Sequence, residues 1–394
     1  MRSKSKKGEV STSPFFLENI KIEKLVTGGA GMGRASDGRV VFVPETCPGD
    51  TVRVKVLKEK KNFLEGELDL VVEPSPHRIV PACPVASSCG GCSWQHVSHE
   101  EQLRQKQMIV TDILKKFLRL SHLSVEPIIA SPKTWRYRNR IQPKIKNGKF
   151  GFFKKNSHQI VETDDCLITE ERLTSHFAEI KGQFQNTHEP KTIEVYLTPN
   201  MEVQWQPIQE QSDGIGFSQV NRFQNENLIA EVIGFAQQHN YRNIWDLYAG
   251  SGNFTFPLQA SKPEAEIIAV ELSSKLVQRG KESSKTTKKL DFVCSDVEKF
   301  LLGSKNLITA EDLVVLDPPR AGCSPAVMTS LAHKHPKHLI YISCHPVSLA
   351  RDLALLIQEC EKINKRVQFL KIQPFEMFPH TDHLETIVFL SVDT

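Results

Sequence analysis

At 394 residues, with 50 Lys and Arg against 46 Asp and Glu and a net charge of +4, the chain is long enough for two or three domains but too evenly charged for a wholesale polyanion binder. No stretch approaches the roughly 18 consecutive apolar residues of a spanning helix, and the basic start Met1–Lys7 runs into Gly8–Pro14 rather than into the apolar core of a secretion signal. A cytoplasmic protein without a membrane partner is expected, and its nine cysteines, an odd number, read as metal ligands or catalytic groups before disulfides.

Residues 1–14 read as a flexible basic tail. Residues 15–74 alternate short β-type runs with turns, as in Arg39–Val43, Cys47–Asp50 and Thr51–Val56, the pattern of a small OB-like barrel. Arg53, Lys55, Lys58, Lys60 and Lys61 lie on or beside one strand pair, either as a nucleic-acid face or as a plain solvated one.

Residues 75–225 read as a central, β-rich domain. It opens with a Pro- and Cys-rich segment in which Cys83, Cys89 and Cys92 fall within ten residues, and Cys166 follows far downstream. Four thiolates suit zinc or an iron–sulphur cluster; three close ligands plus one distant one favour a [4Fe–4S] cluster over paired zinc couples, and both over unligated core cysteines. A radical enzyme would need one iron open, and a fourth ligand at Cys166 would fill it. A helix over 99–120, apolar at Leu103, Ile109, Ile113, Leu114 and Phe117, is expected to pack on the catalytic domain. Residues 131–155 then carry nine cations (Lys133, Arg136, Arg138, Arg140, Lys144, Lys146, Lys149, Lys154 and Lys155), no acid, and interleaved Trp135, Tyr137, Phe150, Phe152 and Phe153. Cations that neutralise phosphate beside rings that stack on bases describe a single-stranded RNA surface better than a solvated face.

Residues 226–394 alternate strand and helix, with apolar strands near 243–248, 266–270, 313–316 and 338–343, and predict a doubly wound, Rossmann-like α/β domain, an architecture that class I methyltransferases share with other nucleotide binders. After the first strand, Asp246–Asn253 contains Gly250 and Gly252 without the third glycine of the dinucleotide fingerprint, and Glu271 ends the next strand, placed to accept ribose hydroxyls. With Ser295-Asp296 and Asp317 after two further strands, an acidic rim suits the cationic, phosphate-free S-adenosylmethionine. Asp317-Pro318-Pro319-Arg320 has Arg320 where amino-group methyltransferases place an aromatic residue, which points away from amino-group methylation.

Cys344 closes the strand Leu339–Ser343, and Glu385 precedes the strand Ile387–Leu390. Carbon 5 of uracil becomes nucleophilic only after something adds to carbon 6, which a thiolate does, and a base must then remove the carbon 5 proton. Singly, Cys344 reads as a packed core cysteine and Glu385 as a surface carboxylate; their joint appearance after the cofactor motifs makes them nucleophile and base. Arg320, His345 and Arg351 are candidates for lowering the thiol's pKa.

Taken together, these motifs resemble the RNA uracil-5-methyltransferases that carry an N-terminal TRAM barrel and an iron–sulphur cluster, the 23S ribosomal RNA enzymes in particular. The likeness runs from the barrel through Cys83–Cys92, Gly216–Asn221, Asp246–Asn253, Asp317–Arg320 and Ser343–Pro346 to Phe378–Glu385. It implies Cys344 as nucleophile, Glu385 as base, Cys83, Cys89, Cys92 and Cys166 as cluster ligands, and Gln219, Tyr248, Asn253, Glu271, Asp296 and Asp317 as S-adenosylmethionine contacts, with Gln219 and Asp317 also near the target base. It departs at His345, where the family usually has Asn, and at Ser218, where it has a second Phe; His345 is a candidate to deprotonate Cys344. The expected protein is a monomeric enzyme that methylates carbon 5 of a uridine in RNA, 23S rRNA first, through a covalent Cys–uracil adduct. The alternatives are a tRNA uracil-5-methyltransferase or a non-catalytic RNA-binding or assembly factor.

Overall fold

The computed structural model describes residues 15–208, 219–284, 289–303 and 308–393. The basic tail, Gly216–Ser218 and Thr394 lie outside them.

Alternation of apolar and polar residues builds a closed barrel at the start of the chain. Its strands are β1 (Phe15–Leu25), β2 (Gly31–Arg34), β3 (Val40–Val43), β4 (Thr51–Glu59) and β5 (Phe63–Glu73), in the order β1-β2-β3-β5-β4. Val52, Val54 and Val56 of β4 point inward to join Ile20, Ile22, Val41, Val43 and Leu64 in the core. The intervening cations point outward and meet β5, where Arg53 pairs with Asp69, Lys55 with Glu67 at 2.8 Å and Lys58 with Glu65 at 3.0 Å. In this ladder the β4 cations Arg53, Lys55 and Lys58 are answered by acids on the neighbouring strand.

Helix α1 (His99–Leu118) follows the cysteine loop and lies against α9 (Pro346–Lys362) of the C-terminal domain. Ile109, Val110 and Leu114 are buried as the apolar spacing predicts, but Phe117 is exposed, and Glu101, Gln102, Gln105 and Lys106 are buried as well. Lys106 Nζ donates to Glu376 Oε1 and to the Phe378 carbonyl, both at 3.0 Å, and His99 Nε2 lies 2.8 Å from Glu376 Oε2. A buried cation is tolerable because its charge and its donors are met.

The central sheet comprises β6 (Arg140–Ile141), β7 (Lys144–Lys146), β8 (Lys149–Phe153), β9 (Ile160–Glu162), β10 (Lys191–Leu197) and β11 (Val203–Pro207). Its order is β11-β10-β7-β8-β9 with β6 also on β10, and α2 (Glu171–Thr174) and α3 (Phe177–Gln183) cover it.

The C-terminal domain runs α4 (Arg222–Gln237), β12 (Asn243–Leu247), α5 (Thr255–Ser261), β13 (Glu266–Glu271), α6 (Ser274–Ser283), β14 (Leu290–Cys294), α7 (Val297–Gly303), β15 (Leu313–Leu316), α8 (Pro325–Lys334), β16 (His338–Ser343) and α9, then β17 (Arg366–Phe375) and β18 (Glu385–Asp393). The sheet order is β14-β13-β12-β15-β16-β18-β17. The first five strands are parallel, and β18 runs antiparallel to both β16 and β17. Helices on both faces explain why β16 is buried along its whole length and reads as a continuous apolar run. Because β18 reverses direction, its first residue sits at the carboxyl end of β16, on the rim where doubly wound sheets bind ligands. Among the described residues, no helix is long and apolar enough to cross a membrane.

Candidate active site and four-cysteine site

At the end of β12 the backbone turns through left-handed values at Tyr248 (φ 66°), Gly250 (φ 60°) and Gly252 (φ 104°). Glycine is required at Gly252 twice over: L side chains avoid that φ, and a Cβ there would lie 2.5 Å from the Phe256 ring. The turn brings the Gly250 amide to Glu271 Oε2 (3.1 Å), while the Ser273 amide holds Oε1 (2.8 Å). Glu271 is thereby fixed at the end of β13, and each oxygen keeps a further acceptor position. Asn253 and Asn225 of α4 exchange amide hydrogen bonds at 2.8 and 3.1 Å, and Asp296 Oδ1 accepts from the Lys299 amide at 3.1 Å. Tyr248, Asn253, Glu271, Asp296 and Asp317 thus stand along one rim of the sheet, at the ends of β12 to β15.

Asp246 and Asp317 sit on neighbouring strands, the Asp317 amide reaching the Leu247 carbonyl at 3.4 Å. Burial pushes the Asp246 carboxyl up to about 7 despite the Thr255 hydroxyl on Oδ2, and its Oδ1 has no protein partner. Asp317 is pushed up to about 7 by burial and then by the charge of Asp246. Two buried acids with an unsatisfied oxygen form a receptor for a cation or a donor.

Ser343 of β16 pairs with Thr386 of β18, so the next step along each strand sets Cys344 opposite Glu385. Glu385 is buried, and its carboxyl is raised well above the carboxylate range by burial and by Asp317, against the pull of Arg320. Burial pushes the Cys344 thiol up to about 12; Glu385 and Asp317 add to the rise, and the Arg320 guanidinium opposes it. Cys344, Glu385, Asp317 and Arg320 therefore form one electrostatic group at the rim, and Arg320 is further placed by the His383 ring, 3.0 Å from Nδ1.

His345 is the N-cap of α9. Its Nδ1 accepts from the Ser348 amide (3.3 Å) and lies 2.8 Å from the Ser348 hydroxyl, which itself donates to the Arg320 carbonyl. The ring thus does what an Asn side chain does at a helix start, which accounts for the substitution. Burial, Arg320 and Arg351 also depress its pKa, so the arrangement favours a cap over a base for Cys344.

Some 15 residues line a cavity of about 60 Å³ near β8, among them Cys83, Cys89, Cys92 and Cys166. All four are free thiols. Burial raises Cys89, Cys92 and Cys166, and their mutual charges add to it, which places the four in electrostatic contact. The Arg138 Nε, on the same wall, is buried without a protein partner. Among the described residues no three potential ligands are gathered tightly enough for a single metal ion. A zinc ion would need its sulphurs within about 4 Å of one another; a cluster binds each thiolate at a different iron and tolerates the wider ring. The donor set, the enclosed apolar lining and the orphaned cationic donor fit such a group.

The sequence singled out nine cations as an RNA surface, and the structure reassigns three of them. Arg136 holds Asp165 through both terminal nitrogens (2.7 and 2.6 Å), Arg140 holds Glu194 and Lys155 holds Glu45. Tyr137 and Phe150 are core residues, and Trp135 stacks on His380 at 3.8 Å. Lys144, Phe152, Phe153 and Lys154 remain along a groove of about 680 Å³ between the barrel turn at Gly28–Gly29, the cysteine loop and β8, with the Lys155–Glu45 pair on its wall.

Motif reading marked Asp246 only as the acidic start of the glycine turn, and it missed Thr255 and Asn225. A carboxylate inside an otherwise apolar strand was the available signal for Asp246; nothing local marked Asn225.

A parallel sheet with this glycine turn and acidic rim defines a class I methyltransferase. Residues 18–68 match the TRAM domain, and residues 303–393 match the tRNA (uracil-5-)-methyltransferase family. An uncharacterized RNA methyltransferase of Bdellovibrio bacteriovorus is 50% identical over 386 residues, 97% of each chain, and one of Thermosynechococcus vestitus is 31% identical, covering 94% of this chain and 97% of its own. The fold matches the crystal structure of the Pyrococcus abyssi tRNA (uracil-54, C5)-methyltransferase in complex with S-adenosyl-L-homocysteine, with a TM-score of 0.71 at 20% identity, over 94% of this chain and all of that one. The chain belongs to the TRAM-containing RNA methyltransferases with a uracil-5-methyltransferase-type catalytic domain. It is an RNA methyltransferase.

Proposed function

We propose that this enzyme, acting as a cytoplasmic monomer, methylates carbon 5 of one uridine in 23S rRNA through a transient Cys344–uracil bond. The observation that carries the reading is Cys344 set across from Glu385 at the mouth of the cofactor crevice. The uridine leaves its stack at a cost of a few kcal/mol and enters that crevice. Cys344 gives its proton to solvent and adds to carbon 6; the electron pair moves through carbon 5 onto the carbon 4 carbonyl oxygen, where the Arg320 guanidinium would offset the charge. Carbon 5 then takes the methyl group that S-adenosylmethionine supplies when bound. Glu385 removes the carbon 5 proton, and the returning pair expels Cys344 as thiolate.

Gln219, Tyr248, Asn253, Glu271, Asp296 and Asp317 would hold the methyl donor, with Glu271 on its ribose and the buried Asp246–Asp317 pair answering its positive charge. Cys83, Cys89, Cys92 and Cys166 would hold a [4Fe–4S] cluster. Transfer RNA is the second reading, favoured by the family model that matches residues 303–393.

Mapping 5-methyluridine in ribosomal and transfer RNA from a deletion strain, complemented with wild type or with Cys344→Ala, tests the reading. One 23S position should lose its methyl group, and only wild type should restore it. Loss from transfer RNA alone would select the second reading; restoration by Cys344→Ala would overturn both.

A further inference from the structure

Residues 136–139 run as a strap between the four-cysteine site and the active site. On one side, the Arg136 and Arg138 amides donate to the carbonyls of Leu167 and Ile168, each at 2.8 Å, and the Arg138 carbonyl accepts from the Glu170 amide at 2.9 Å. Arg136 also reaches the Cys166 carbonyl at 3.2 Å. On the other side, Arg138 bridges Asn221, the Asn139 amide donates to the Val220 carbonyl at 2.9 Å, and Asn139 Nδ2 donates to the Gln219 carbonyl at 3.2 Å. Between them the buried Tyr137 sends its hydroxyl to the Pro379 carbonyl at 3.1 Å, six residues before Glu385. The other cysteine loop reaches the same segment, the Trp94 amide donating to the His380 carbonyl at 3.0 Å. Strap, Cys166 loop and Gln219–Asn221 thus share one short hydrogen-bonded ribbon, in which no strand shifts without the next.

We propose that Tyr137 and Asn139 are positioning residues that couple the four-cysteine site to the methyl-donor site, so that an ordered Cys166 loop sets Gln219 and the segment leading to Glu385. The inference rests on the reading of Cys83, Cys89, Cys92 and Cys166 as cluster ligands. It goes beyond that reading in making iron binding and cofactor binding mutually dependent, although no side chain serves both. Coupling between sites is reciprocal, so whatever iron does for cofactor affinity the cofactor must do for iron.

The experiment follows iron release from the loaded protein under excess chelator, by loss of the cluster's visible absorbance, with and without saturating S-adenosylhomocysteine. Wild type should release iron on the order of tenfold more slowly with ligand bound, within the usual range of coupling. Asn139→Ala should load the same iron and release it at the wild-type ligand-free rate, yet lose most of this protection and bind S-adenosylhomocysteine more weakly by calorimetry. Tyr137→Phe keeps the ring and deletes only the hydroxyl bond; it should slow the resolution of the RNA adduct, so that adduct accumulates, while cofactor affinity stays near wild type. A residue that merely supports the fold would lower iron content and leave the ratio of the two release rates unchanged. Wild-type release unaffected by ligand overturns the coupling. Wild-type protein that takes up no iron overturns instead the cluster reading beneath it.

Discussion

Glu385 lies across from Cys344, one step beyond the Ser343–Thr386 pair, on a strand that runs opposite to β16. An antiparallel neighbour is the arrangement that brings the start of one strand to the end of another, and it delivers a carboxylate to the thiol without a helix in between. If Glu385 takes the carbon 5 proton, Glu385→Gln should stall after methyl transfer. The stalled species is a protein–RNA adduct that survives denaturant and carries label from methyl-labelled S-adenosylmethionine. An unlabelled adduct would assign Glu385 to an earlier step, and steady turnover with no adduct would remove it from the chemistry.

The capping geometry of His345 makes a different forecast. His345→Asn should keep the Ser348 amide bonded and leave both rate and pH profile close to wild type. His345→Ala should cost about 1 kcal/mol, the usual value of a lost N-cap, read as a lower unfolding midpoint. A pH profile displaced in His345→Asn would show instead that the ring exchanges a proton with Cys344.

If Asp246 and Asp317, both pushed up to about 7, face the methyl donor, cofactor binding depends on pH. A sulphonium cation favours their ionised forms, so its binding expels protons, and affinity should rise as pH increases through 7 and level off above it. S-adenosylhomocysteine has a neutral sulphur and should show a weaker trend. Between pH 6 and pH 8 the preference for S-adenosylmethionine over S-adenosylhomocysteine should grow by about tenfold per proton fully expelled, measured by calorimetry at each pH. A pH-independent ratio would mean that the two acids do not face the methyl donor.

The buried Lys106–Glu376 pair offers a stability test remote from the chemistry. Lys106→Met should cost about 3 kcal/mol, the lower end for breaking a buried pair, because Glu376 keeps His99 and the Ser131 amide. Lys106→Met combined with Glu376→Leu should recover part of that loss in urea unfolding. A single variant as stable as wild type would show that the pair contributes nothing net.

The parallel strands were legible because burial on both faces leaves continuous apolar runs, and the barrel because Val52, Val54 and Val56 alternate with cations. Less legible was what those cations do. Arg53 and Arg136 look alike in sequence, and only the strands and loops that folding sets opposite them supply Asp69 and Asp165 as partners. The polar buried face of α1 was hidden for the same reason, since Lys106 is tolerable in a core only once Glu376, 270 residues later, has arrived. At the site, strand-end residues such as Glu271 and Cys344 were visible from local motifs. Asn225 and Asn139 were not, and Tyr137 was marked only as an RNA-stacking ring, because each makes its contact with a carbonyl or amide from another part of the chain.

One contact joins the first domain to the last turn before β18. The Gly28 amide, in a turn of the first barrel, donates to Asp382 Oδ2 across 354 positions at 2.8 Å. During synthesis the barrel emerges early, yet this turn finds its acceptor only when the segment just ahead of Glu385 has left the ribosome. Until then the barrel lacks this tie to the C-terminal domain, and a nascent polypeptide halted short of that point has neither Asp382 nor Glu385.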